Sequence, residues 1–200
     1  MSDEEEVCPL MLVESCYEKD GTPKRATGSH GPSLMLKLKE AEAAGIAALD
    51  WVVIARGWVD CFGRDGLKNA IRCANNALNY KACDHENLMN WWWIDGAETW
   101  IAIGAYESQY LVHAQDWLRR AEEFLVDSFD AGRCARVWMT ISGPESAGHA
   151  FRLIKRAESL FDGSEMDQRG ICRTWLHCFG REVGGQHVRE FCLRIGSLPP

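Results

Sequence analysis

Apolar and small residues recur along this chain with a helical period. Around Trp58, Trp100, Trp138 and Trp175, the positions seven before, three before and three after each anchor fall on one helical face. Three before stand Ala55, Ala97, Ala135 and Cys172, and three after stand Cys61, Ile103, Ile141 and Cys178. Seven before are Trp51, Trp93, Ala131 and Gln168. The anchors are 42, 38 and 37 residues apart, so the pattern is an internal repeat, and each anchor marks a first helix, A. Five residues past the anchor come Gly63, Gly143 and Gly180, with Gly104 one place early in the second unit. A glycine there supplies the conformation that ends a helix. Two residues later Asp65, Glu145 and Glu182 follow, with Glu107 as the counterpart, and an acid suits the start of the next helix.

That second helix, B, is amphipathic in every unit. The first unit places Leu67, Ala70, Ile71, Ala74, Ala77 and Leu78 on one stripe, and the third places Ala147, Ala150, Phe151, Ile154, Ala157 and Phe161. The second, after a two-residue insertion, gives Tyr110, Ala114, Trp117, Leu118, Ala121 and Leu125, and the fourth His187, Val188, Phe191, Cys192 and Ile195. Ser33 to Ile46 reads as a helix B without its A, capped by Ser33, and its Lys39-Glu40-Ala41-Glu42 resembles Arg120-Ala121-Glu122 and Arg156-Ala157-Glu158. The predicted fold is all-α. Residues 33–198 form a stack of antiparallel helix hairpins, an α-α superhelix or solenoid of about four hairpins plus an N-terminal half-hairpin, ending at Pro199-Pro200. Residues 1–32 form an atypical N-terminal segment, with an acidic tail, an apolar Val7–Val13 that reads as a short strand or helix, and a Gly/Pro/Ser/Thr-rich loop from Asp20 to Pro32.

Paired helices of about 37 residues per unit resemble the tetratricopeptide-like class, whose units hold about 34. Ala70/Ala77 and Ala150/Ala157 keep the seven-residue spacing of that family's second helix. Two departures mark the chain as a divergent helical-hairpin repeat. A bulky Trp sits twelve residues before the first Ala, where the family has a small residue, and no Pro closes the units. The family's peptide-binding positions therefore do not carry over. The resemblance implies an extended concave surface suited to another macromolecule.

Composition changes this picture little. The chain has 200 residues, 46% hydrophobic, with nine Trp and nine Cys. The odd Cys count, with an N-terminus of Ser2-Asp3-Glu4-Glu5-Glu6 in place of a secretory leader, points to a reducing, cytoplasmic setting where Cys packs as a small apolar residue. No apolar run approaches the roughly 20 residues of a membrane helix, so a soluble protein with no membrane partner is expected. The net charge is -7, of which positions 3–6 supply four negative charges. A nucleic-acid partner is not expected, because there is no basic stripe. No cofactor motif is present: neither a Gly-rich phosphate loop, a Ser elbow nor His-Glu-x-x-His.

Few residues are left as candidates for chemistry. Trp91-Trp92-Trp93 point about 100° apart on a helix and cannot share one buried face. Trp93 takes the core slot of Trp51. Trp91 and Trp92 then either anchor a partner or pack under the 79–90 loop or against the N-terminal segment. In that loop Cys83-Asp84-His85-Glu86 holds Cys83 and His85 as candidate metal ligands, and Cys172, His177 and Cys178 form the other such cluster. The placement of Cys172 and Cys178 on the core stripe favours packing. His113, His149 and His187 occupy neighbouring repeat slots and read as structural. Arg64-Asp65 and Arg181-Glu182 follow the turn glycines and would make a charged rim. Arg152 and Arg156, with Lys155, Arg173, Arg189 and Arg194, make either a weak basic face for an acidic partner or a solvated one. The expected function is non-enzymatic protein–protein interaction, as an adaptor, scaffold or inhibitor binding a protein or peptide through one face of the stack, with Trp91, Trp92, Arg152 and Arg156 in contact. The competing expectation is a small enzyme or a metal- or ligand-binding protein with a His/Cys site between repeats.

Overall fold

The computed structural model describes residues 8–27, 30–45, 47–79, 90–141 and 143–197. Its helices are α1 (Pro9–Glu14), α2 (His30–Ala44), α3 (Ala48–Phe62), α4 (Leu67–Asn79), α5 (Asn90–Gly104), α6 (Leu111–Glu123), α7 (Ser128–Thr140), α8 (Pro144–Ser159), α9 (Glu165–Phe179) and α10 (Gly185–Arg194). Among the described residues there is no strand, only an isolated antiparallel bridge between Tyr17 and Pro23. The protein is all-α. The four anchor tryptophans lie in α3, α5, α7 and α9, and the B stripes lie in α4, α6, α8 and α10. The helix B without its A is α2. It starts at His30, so Ser33 sits inside its first turn and does not cap it. The apolar Val7–Val13 stretch is helical from Pro9, and proline at a first helical position forgoes only an N–H that has no partner there.

The helix boundaries follow from local chemistry. Gly63, Gly143 and Gly180, each five residues past an anchor, all have positive φ, at 58°, 151° and 70°. A side chain would strain the backbone at these points, so each glycine lets the chain turn out of helix A. At the starts, Asp50 accepts the Ala47 N–H at 3.0 Å, Asp127 accepts that of Asp130 at 2.7 Å, and Ser164 Oγ accepts that of Asp167 at 3.1 Å. Each satisfies a backbone donor that the helix itself leaves free.

The chain divides into two compact units, Met1–Leu88 with Thr99–Tyr110, and Met89–Glu98 with Leu111–Pro200. In the first, α1 packs on α2 and α3, α2 on α3, and α3 on α4. Its core includes Val13, Cys16, Leu38, Ile54, Ala55, Trp58, Ala70 and Cys73. The N-terminal segment belongs to this core: Ala26 donates to Cys61 O at 2.9 Å, Arg25 to Asp60 O at 2.8 Å and Tyr17 Oη to Asp60 at 3.0 Å. In the second unit α7 packs on α6, α8 and α9, while α9 also packs on α8 and α10. Its core includes Trp117, Ala131, Ala135, Trp138, Ile154, Trp175 and Phe191.

One contact repeats in both units. The indole N–H of each of three anchors donates to a glutamate on the preceding helix B: Trp58 to Glu42 at 2.7 Å, Trp138 to Glu122 at 2.7 Å and Trp175 to Glu158 at 2.8 Å. These are the glutamates that end the Lys/Arg-containing segments alike in sequence. Each carboxylate also collects other donors. Glu42 takes Arg72 at 2.6 Å and the Cys73 thiol at 3.4 Å. His149 Nδ1 lies 2.7 Å from Glu122, and Glu158 takes Lys155 at 3.2 Å together with Arg194. His149 stacks on Trp138 with ring centroids 4.1 Å apart, and His187 stacks on Trp175 at 4.2 Å.

Glu158 has only 3% of its side chain exposed, so removing it leaves a buried donor unsatisfied and two cations without their counter-ion. Glu158→Ala is expected to cost about 2–4 kcal/mol in urea unfolding, whereas Glu158→Gln, which keeps an acceptor for Trp175, costs less. Arg194→Ala, at the exposed end of the same pair, is expected to cost under about 1 kcal/mol.

Candidate functional site

In the second unit α7 and α9 lie side by side but do not fill the space between them. Ser128, Gly132 and Arg136 recur every fourth residue on α7, and Asp167, Gly170, Ile171 and Thr174 form the facing stripe of α9. Two of these positions are glycine, and the resulting groove has a volume of about 580 Å³. A Cβ at Gly132 would stand 3.1 Å from Thr174 Oγ1, whereas one at Gly170 would meet nothing within 4 Å. The rim carries two large apolar side chains in solvent, Phe129 at 70% exposure and Met166 at 84%. Leu160 and Ile171 add further apolar lining. A concave, mainly apolar cleft of this size with a few polar groups is the usual form of a ligand site.

The polar groups segregate along the groove. At the N-terminal ends of the two helices stand Asp127, Asp162 and Asp167. Each lends at least one oxygen to the fold. Asp127 takes the Asp130 N–H, Asp162 takes that of Ser164 at 2.7 Å, and Asp167 takes the Asp162 N–H at 3.2 Å and the Ser128 hydroxyl. Partial burial, with Asp162 and Asp127 as like charges, raises the Asp167 pKa above the ordinary carboxylate value. Further along stand Arg136, Arg173 and His177. Arg136 donates to the Thr174 hydroxyl at 2.8 Å, and among the described residues no carboxylate pairs with it or with Arg173. Burial and the repulsion of Arg133 pull the Arg136 pKa down from its ordinary value. Arg133 itself is neutralised by Asp95 and by Glu98, the latter at 2.8 Å.

The residues singled out from sequence lie elsewhere. Trp92 is 1% exposed, with its ring 4.7 Å from that of Trp117 and 4.5 Å from that of Trp93. That burial corrects the expectation that it faces a partner. The reason is Gly96: it lets the Trp117 ring lie directly over α5, and the cleft so made takes Trp92 as well as Trp93. Trp91 is half-buried. Arg156 donates to Glu122 O at 2.8 Å and Leu125 O at 2.7 Å, holding the carbonyls at the end of α6. Arg152 is exposed, 3.0 Å from His149 Nδ1. Cys83 and His85 lie outside the described residues. Cys172 and Cys178 are buried core residues, and burial pushes the thiols up to about 12 and about 11. Among the described residues no three His, Cys, Asp or Glu side chains cluster as metal ligands, and no helix is long and apolar enough to cross a membrane.

The groove itself was missed from sequence, although signals were there. Gly132 and Gly170 interrupt otherwise helical segments, and neither Arg136 nor Arg173 has an acid three or four residues away on its own helix. Compared with known proteins, the chain matches no family model, no curated protein and no solved structure.

The burial of Trp92 gives a direct check on the aromatic run. Trp92→Ala is expected to cost about 3–5 kcal/mol, as for other buried aromatics, and Trp91→Ala under about 1 kcal/mol. Chemical denaturation of the two variants measures both.

Proposed function

We propose that this chain is a non-enzymatic protein-interaction module, an adaptor, scaffold or inhibitor, that takes up a short segment of a partner protein in the groove between α7 and α9. The observation that carries this reading is the groove: two facing helices with open space over Gly170, where no side chain fills it, and exposed Phe129 and Met166 along its edge. Large apolar side chains left in solvent beside a preformed cleft favour an apolar partner surface. The space suits an extended peptide of a few residues better than a folded domain. The recurring anchors, turn glycines and Trp–Glu contacts support the wider architecture, a divergent tetratricopeptide-like stack of antiparallel hairpins in which α7 and α9 are successive A helices. In such a stack one face is built from A helices, and side chains on it are free to bind.

Gly170 supplies the test. It sits within α9 with open space where a side chain would begin. Gly170→Phe therefore fills the groove while leaving the helix intact, and Gly170→Ala raises stability by up to about 1 kcal/mol through helix propensity. Peptides selected from a random display library on the native chain are expected to lose at least tenfold in affinity for Gly170→Phe, with its melting temperature unchanged or higher. Equal binding to both proteins would remove the groove from the function. Phe129→Ala combined with Met166→Ala, both exposed, is expected to weaken the same peptides without destabilising the fold.

A further inference from the structure

We infer that the segment held in this groove carries an acidic side chain, Asp or Glu, which its basic end recognises through Arg136 and Arg173. The inference rests on the groove being the binding site and adds the chemistry of what enters it. Among the described residues no ion pair engages Arg136, and Glu98, whose charge reaches it, is already paired with Arg133. Arg56, Arg72, Arg119, Arg133, Arg169 and Arg194 each have an acid partner. Among the described residues the hydrogen-bond partner of Arg136 is the Thr174 hydroxyl, which itself donates to Gly170 O at 2.9 Å. Arg136 is half-buried, held over the groove by that hydroxyl, beside Arg173 and His177. Burial already disfavours its charge. A carboxylate arriving from a ligand would relieve that penalty and take the planar fork in two parallel hydrogen bonds.

The acids at the opposite end make the recognition directional. Asp127, Asp162 and Asp167 lend oxygens to helix starts and to Ser128, and they keep their negative field. A ligand acid placed there is repelled, and one placed at the Arg136 end is attracted, so only one orientation satisfies both ends. The apolar contacts of Phe129 lie seven residues before Arg136 on α7, or about 10 Å along the helix. An extended peptide covers that distance in about three residues. The groove thus fits a segment with an apolar side chain followed, about three residues along the groove, by Asp or Glu.

The experiment is a positional-scanning library of acetylated, amidated peptides bearing a fixed Leu, titrated against the native chain and three variants. Blocked termini confine the negative charge to side chains. The native chain is expected to prefer Asp or Glu at one position about three residues from the Leu, with the affinity falling as salt rises. Replacing that acid by Gln or Asn should cost about tenfold or more. Arg136→Gln, verified as folded by its melting curve, should abolish the preference. Arg173→Gln, an exposed change that leaves the packing untouched, should reduce it. Peptides that Gly170→Phe excludes but that show no acid preference, or keep it in Arg136→Gln, overturn the recognition and leave the groove reading standing. Peptides that bind Gly170→Phe as well as the native chain overturn both.

Discussion

The hydrogen bond from a buried indole to a glutamate one helix earlier constrains how α2 and α3, α6 and α7, and α8 and α9 pack. A tryptophan fills the space between helices with a large side chain, and it brings an N–H that costs less when an acceptor is in reach once water is excluded. Trp58, Trp138 and Trp175 each find it 16 or 17 residues back, in Glu42, Glu122 and Glu158. A carboxylate drawn into that position would cost more than the bond returns if it stood alone. In each case it is accompanied, by Arg72 and Cys73, by His149, or by Lys155 and Arg194. The result is a polar knot at the edge of each aromatic layer. It ties helix B of one unit to helix A of the next and fixes how far either can slide, because a shift of one residue would orphan both the indole and the carboxylate.

Much of this was legible in the chain. The spacing of the tryptophans, the small residues three before them and the glycine five after are direct consequences of helix geometry, and they place α3, α5, α7 and α9 and their turns. The likeness among Glu42, Glu122 and Glu158 was also visible as a pattern of letters. Its physical meaning was not, since nothing local says that a glutamate on one helix will meet an indole on the next. Trp92 shows the same limit from the other side. Three consecutive helical positions cannot share one face, which argued for an exposed Trp92. The missing information was Gly96, whose absent side chain admits Trp117 and makes a second buried face on α5.

The groove was illegible for a related reason: it is made by what is missing. Hydrophobic periodicity reports which residues pack, and Gly132 and Gly170 contribute nothing to that signal whether they permit close helix contact or hold a space open. Only the facing helix decides between the two. At Gly96 an indole fills the gap, while at Gly170 nothing does. Similarly, Arg156 and Arg136 look alike in sequence. One is consumed by the carbonyls ending α6, and the other meets only a threonine hydroxyl.

This contrast between used and unused charge separates scaffold from site in the second unit. Arg133 and Arg136 differ by three positions on α7, little more than a turn's edge apart. The first is neutralised by Asp95 and Glu98 and so joins α7 to α5. The second feels the first as repulsion, offset in part by Glu98, and lies beside an open apolar cleft. Ion pairs engage Arg56, Arg72, Arg119, Arg169 and Arg194 as they engage Arg133, and Arg136 is not among them. Arg133 is paired with two acids, whereas Arg136 makes no ion pair among the described residues and keeps positive charge where a ligand can reach it. In a groove open to solvent, the field of that charge draws in a carboxylate most strongly at low salt.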